Sequence, residues 1–295
     1  MQKFVFRSAL RPNQISFSHN QDPMLTLAFA EGQAPAHLTD QQGTPWLDDQ
    51  GSMCARTFST EDLHWIDCPG LGVFTFSADS REVQVWPEPG TERETVIEAF
   101  SWLLQRVILQ ALGWEVLHAS AVAGPAGAFA FCGRSGSGKS TLAFAFHQEG
   151  WRQLADDGLV LRLDRDRVMT CPLPFRPRLR AGARAHFVHA RMNLSPAPEL
   201  TREVPLTAVF MLRQDATLAH PRISPVPKVR AFSQLLPYAH CFDTEDPKHT
   251  RRFIHDYLCL SARVPVYTLY YRPEFKNLLQ LMCAVMAAAK GTTRL

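Results

Sequence analysis

Three groups of residues could do chemistry together: the run Gly133-x-x-x-x-Gly138-Lys139-Ser140, the adjacent acids Asp156 and Asp157, and His118. The first fits the phosphate-binding pattern G-x-x-x-x-G-K-[ST] at every position. Glycines let the backbone curl so that successive N–H groups point at phosphate oxygens. Lys139 has the reach to meet β- and γ-phosphates, and the Ser140 hydroxyl suits Mg²⁺. A helix opening at Ser140 would add its positive end to the same anion. The expected nucleotide contacts are Gly133, Ser135, Gly136, Ser137, Gly138, Lys139, Ser140 and Thr141.

Two adjacent carboxylates repel one another unless a cation holds them. Beside a nucleotide, one could bind metal while the other takes a proton from an attacking hydroxyl. Without the loop, "DDG" would read as a solvated turn. His118 lies in the apolar run "LHASAV". Alone, a histidine there is more often a satisfied core residue than a catalytic one.

The elements around these groups follow from periodicity. "LTLAFA" (25–30), "GVFTFS" (72–77) and "EVQVW" (82–86) predict strands. Thr91 and Glu94 have capping-box spacing ahead of a helix running to Leu112. "EVLHASAVA" (115–123) and "GAFAFC" (127–132) predict two buried strands, the second feeding the loop. A helix to Gly150, the strand "WRQLA", the acids and the strand "LVLRL" (159–163) follow, with "DRDR" as a hairpin turn. The strand after the helix is expected beside the loop strand, which would bring its acids to the γ-phosphate. Residues 171–205 are rich in proline and arginine and read as a mobile or substrate-facing segment. The strand 206–213, a helix near 247–262, the strand 264–271 and a helix from Pro273 complete the chain.

The expected fold is α/β, a central sheet carrying the phosphate loop and flanked by helices, with a smaller β-rich N-terminal region. The division falls between residues 1–90 and 91–295. Among 295 residues the net charge is only +3, which gives no argument for nucleic-acid binding. Seven scattered cysteines form no C-x-x-C pair and predict thiols rather than a zinc or disulfide framework. No apolar run of membrane-spanning length and no secretory leader occur, so the chain reads as cytoplasmic and away from membranes.

Taken together, "LHASAV", the loop and "ADD" resemble the catalytic domain of HPr kinase/phosphorylase, a bacterial serine kinase. They are closer still to its shorter relatives found with peptide-modification systems, and "VPVYTLYYRP" (264–273) is similar to their C-terminal strand. The resemblance implies ATP and Mg²⁺ as cofactors and a serine-bearing peptide or protein as substrate. It implies Lys139 and Asp156 as catalytic residues, with Asp156 the general base and His118 orienting it. Asp157 would join Ser140 at the metal. Phosphoenolpyruvate carboxykinases share the loop and double acid and use both acids around metals. The full family carries an acid-bearing, Glu-Arg-Gly-rich signature downstream. Here "FRPRLRAGARAHF" stands in its place, so phosphorylase activity is not expected. A metabolite kinase and a non-enzymatic ATP-binding regulator are the alternatives, and a homo-oligomer is compatible with the sequence. An ABC-type ATPase is disfavoured by the absence of an LSGGQ-like signature. The arginines at 176, 178, 180, 184 and 191 could grip an acidic acceptor, Arg178 and Arg180 above all.

Overall fold

The computed structural model describes residues 24–35, 38, 43–47, 51–60, 63–164, 166–173, 175, 177, 179–189, 203–241 and 246–292. Arg176, Arg178 and Arg191 therefore lie outside the described residues. Strands β1 (Thr26–Phe29), β2 (Thr44–Leu47), β3 (Met53–Ser59), β4 (His64–Cys68), β5 (Gly72–Phe76) and β6 (Glu82–Pro87) form a six-stranded sheet in the order β1-β6-β5-β4-β3-β2. Alternation sets its faces. On β5, Phe74 and Phe76 join one apolar cluster, while Val73 faces the other way onto Trp65 and Leu38.

The chain then enters α1 (Arg93–Ala99), a π-helical segment Phe100–Leu104, and α2 (Gln105–Ala111). The expected capping box does not form. Glu92 precedes the helix without a side-chain cap, and the Thr91 hydroxyl donates instead to the Gly70 carbonyl at 3.2 Å. Val96, Phe100, Leu104 and Ile108 fill the face of the sheet beneath them. The same cluster takes in Val116, Val160 and Leu173, so this helical stretch is shared between two sheets.

The second sheet has nine strands. It is built from β7 (Glu115–Leu117), β8 (Ala119–Gly124), β9 (Gly127–Cys132), β10 (Arg152–Ala155), β11 (Leu159–Leu163), β12 (Val168–Cys171), β13 (Val204–Gln214), β14 (Arg222–Pro225) and β15 (Val266–Tyr271). Its main path runs β10-β8-β9-β13-β12-β11-β7, and β15 pairs in parallel with β13. Between these strands lie α3 (Lys139–Gln148), α4 (Ala181–His189), α5 (Lys228–Leu235) and α6 (Pro247–Arg263), and α7 (Leu278–Thr292) closes the described chain. On β9, Phe129 and Phe131 pack with Phe144 and Phe146 of α3 on one face. Ala128, Ala130 and Cys132 face the other side, where Tyr257 and Leu260 of α6 fill the space above them.

Three expectations change. The run 115–123 is two strands, broken at His118. β10 pairs with β8, not with the loop strand β9, because β8 and β9 form a hairpin and α3 crosses over β8 to reach the far side. The segment 171–205 contains α4, whose Ala183 and Phe187 pack into the α3 side of the core. None of the seven cysteines is in a disulfide. Among the described residues no helix is long and apolar enough to cross a membrane.

Candidate functional site

The loop from Gly133 to Gly138 leaves the C-terminal end of β9 and turns directly into α3. Gly138 caps that helix with a left-handed φ of 86°. A Cβ at this position would lie 2.7 Å from the Tyr271 hydroxyl, so conformation and space both require glycine. A Cβ at Gly133 would run into Ser137 Oγ. Four side chains hold the loop. Tyr271 donates its hydroxyl to the Ser137 carbonyl, and Gln214 Nε2 donates to the Gly136 carbonyl at 3.0 Å. Arg180 Nη2 donates to Ser135 Oγ at 3.0 Å, and Lys139 Nζ to the Gly133 carbonyl at 2.9 Å. Arg180 thus reaches the loop.

Lys139 is buried, and burial lowers its pKa while Asp157 pulls it back up. Ser140 and Thr141 are half-buried in the first turn of α3. Ser137 Oγ is buried without a hydrogen-bond partner among the described residues. A buried ammonium, an unpartnered hydroxyl and a helix N-terminus make a cradle for an anion.

Asp156 and Asp157 follow β10 but face different surroundings. Asp156 is only 3% exposed. Its Oδ1 accepts from the Ser120 hydroxyl at 2.7 Å, and its carbonyl accepts from Arg106 Nη2 at 2.9 Å. Asp157 adopts a left-handed φ of 70°, which aims its half-exposed carboxylate elsewhere. There it meets His118, with Nδ1 3.4 Å from Asp157 Oδ1. The sequence reading paired His118 with Asp156 as base; it is Asp157 that stands beside the imidazole.

His118 occupies the break between β7 and β8, where its N–H donates to the Tyr238 carbonyl at 2.6 Å. Burial lowers its pKa first, the Lys139 charge lowers it further, and Asp157 opposes both. Residues 239–240 continue along β7, with Leu117 bridged to Ala239 and the His240 N–H bonded to the Val116 carbonyl at 2.9 Å. This brings the His240 ring to 6.1 Å from the His118 ring. Burial pushes His240 down to about 4, so it is neutral.

Lys139, His118 and Asp157 are therefore gathered at one end of the sheet. Arg106, Ser120 and His240 were not singled out from the sequence. Arg106 and Ser120 did carry a signal, since a charge on a buried helix face and a hydroxyl in an apolar strand each demand a partner. His240 carried none.

Comparison with known proteins adds little. No family model matches the chain, and no curated protein matches it. Among solved structures, the Hpr(Ser) kinase/phosphatase from Coxiella burnetii is similar over 59% of this chain and 97% of its own, at 12% identity and a TM-score of 0.33. At that distance the likeness carries no functional weight.

Proposed function

We propose that this chain is an ATP- and Mg²⁺-dependent kinase of HPr-kinase-like type, transferring the γ-phosphate to a serine hydroxyl of a peptide or protein. The observation that carries the reading is the His118–Asp157 pair standing where the charge of Lys139 is felt by both. Residues 91–295 would form the kinase domain and residues 1–90 its β-rich companion.

The division of labour between the acids is revised from the sequence reading. Asp157 is the proton acceptor, because it is half-exposed and faces His118. Neutral His118 can donate from Nδ1 to that carboxylate and hold it in line with an incoming hydroxyl. Asp156, fixed by Ser120 and Arg106, anchors the turn that presents Asp157. Lys139 and the loop amides hold the transferred phosphoryl group and balance its charge.

A triphosphate fits the cradle, which offers donors and a cation. Magnesium is bound through one or two carboxylates plus substrate phosphates. Among the described residues no cluster of three or more His, Cys, Asp or Glu forms a metal cage. Ser140 and Asp156 would hold the ion, which would neutralise charge on the β- and γ-phosphate oxygens.

The test is labelled ATP with Mg²⁺ and serine-bearing acceptors, the label being located by mass spectrometry. Wild-type protein is expected to label a serine. Lys139→Ala is expected to stay folded and to label nothing. Undiminished labelling by a folded Lys139→Ala protein would overturn the reading.

A further inference from the structure

On the Thr141 side of the loop lies a cavity of about 350 Å³, reaching Gly136 and Gly138 at one end. None of His118, Asp156, Asp157 or Lys139 lines it. It therefore approaches the loop from a different side than the acids. Leu142, Leu278 and Leu281 give it apolar walls. Arg180, Gln214 and Asn277 supply polar groups. Small-molecule pockets combine mostly apolar walls with a few polar groups, at volumes of about 300–1,000 Å³.

Two aromatic residues mark its use. Tyr271 lines the cavity and donates its hydroxyl to the Ser137 carbonyl, so cavity wall and loop are one unit. Phe275 also lines it and is 41% exposed, high for so large an apolar ring. His186 of α4 stacks on Phe275 with ring centroids 4.5 Å apart and planes 9° apart, which fixes the ring's orientation.

We infer that this cavity holds the nucleoside of the nucleotide whose phosphates lie in the loop, its aromatic base against Phe275 and its ribose among the polar groups. The inference rests on the kinase reading above and extends it to residues 214–221 and 271–281. A peptide acceptor is the poorer occupant. It would need a path to Asp157 and His118, and the cavity is lined by neither. The polyphosphate, by contrast, would pass from the cavity into the loop at Gly136 and Gly138.

Calorimetry on the full chain with ATP and with inorganic tripolyphosphate separates the two halves of the site. Ala219→Trp fills the cavity from an exposed lining position, and Phe275→Ala removes the stacking face. Each is expected to weaken ATP binding about tenfold, the scale of one lost base–aromatic stack, and to leave tripolyphosphate binding unchanged. Lys139→Ala should weaken both ligands. ATP binding unaffected in both cavity variants, or wild-type protein binding tripolyphosphate as tightly as ATP, would overturn the nucleoside site and leave the phosphate loop standing. A raised acceptor KM in Ala219→Trp with unchanged ATP affinity would overturn it in favour of an acceptor site. Wild-type protein that binds neither ligand would remove the kinase reading and this one with it.

Discussion

Ser120 and His118 sit on the same short run of chain and sort the two aspartates. Ser120 holds Asp156 in the interior, and His118 meets Asp157 at the surface. On the proposed assignment, Asp157→Asn keeps the shape and removes the base. Turnover should fall by about 10²–10⁴, the usual worth of a positioned acid–base group, with Mg-ATP affinity nearly unchanged. Asp156→Asn places an amide in a buried acceptor position. It should cost about 1–3 kcal/mol of stability by leaving polar groups badly matched, and should weaken Mg-ATP binding as well. Calorimetric affinity, turnover and denaturant unfolding measured on both variants decide the matter. Collapse of Mg-ATP binding in Asp157→Asn alone would return the base to Asp156. The loop, its lysine and the double acid were legible because each position of the motif has its own chemical reason. The assignment of the acids was not. It depends on one left-handed φ at Asp157 and on which neighbours the turn meets.

At the scale of elements, the π-helical segment Phe100–Leu104 hands over to α2 just before Arg106. Arg106 is buried and reaches across to the Asp156 carbonyl. Gly158, at the far end of the acid turn, leaves room for it. A Cβ there would lie 2.6 Å from Arg106 Nε. Gly158→Ala should therefore displace Arg106, destabilise by about 1–3 kcal/mol as other overpacked sites do, and lower turnover by loosening the turn. Thermal unfolding with parallel turnover assays checks it, and an unchanged Tm would show that the guanidinium yields freely. β9, α3, β11, β13 and β15 were readable because their apolar runs are long or motif-linked. β2 was not: "TPWL" holds a proline, tolerated because β2 is the edge of its sheet. α4 was hidden inside a proline- and arginine-rich stretch; among its described side chains Ala183 and Phe187 are the buried apolar anchors. The pairing of β10 with β8 rather than with β9, and the placing of His240 beside His118, depend on contacts between segments distant in the chain. No local pattern encodes them.

For the whole molecule, β7 joins two buried titratable groups of opposite behaviour. His240 is hydrogen-bonded to its backbone, and Tyr257 of α6 donates to the same Val116 carbonyl at 2.8 Å. Burial holds His240 at about 4, with the charges of His118 and Arg106 adding to the effect and Asp157 opposing it. An unfolded chain would take up that proton near 6.5, so the folded state loses stability as pH falls from about 6.5 towards 4. The full drop is worth at most about 3 kcal/mol. Glu115, at the other end of β7, is 1% exposed, with Asp256 beside its carboxyl. Burial and Asp256 raise its pKa well above the usual carboxylate range, against Arg252. A raised carboxyl pKa means that the folded state keeps a proton that the unfolded chain releases above about 4.5. Stability is therefore lost as pH rises from there through the raised value. The two slopes have opposite signs, His240 costing stability as pH falls below about 6.5 and Glu115 as pH rises above about 4.5. Glu115→Gln removes that cost without changing the shape. It is expected to raise stability at pH 8 by about 1–3 kcal/mol, the scale of an uncompensated buried polar group, and to have little effect at pH 5. Denaturant unfolding of both proteins at pH 5, 6.5 and 8 gives the answer. A variant less stable than wild type at pH 8 would mean that Glu115 is charged and paired in the folded protein, and that α6 is held to β7 by an ion pair, not by apolar packing and the Tyr257 hydrogen bond.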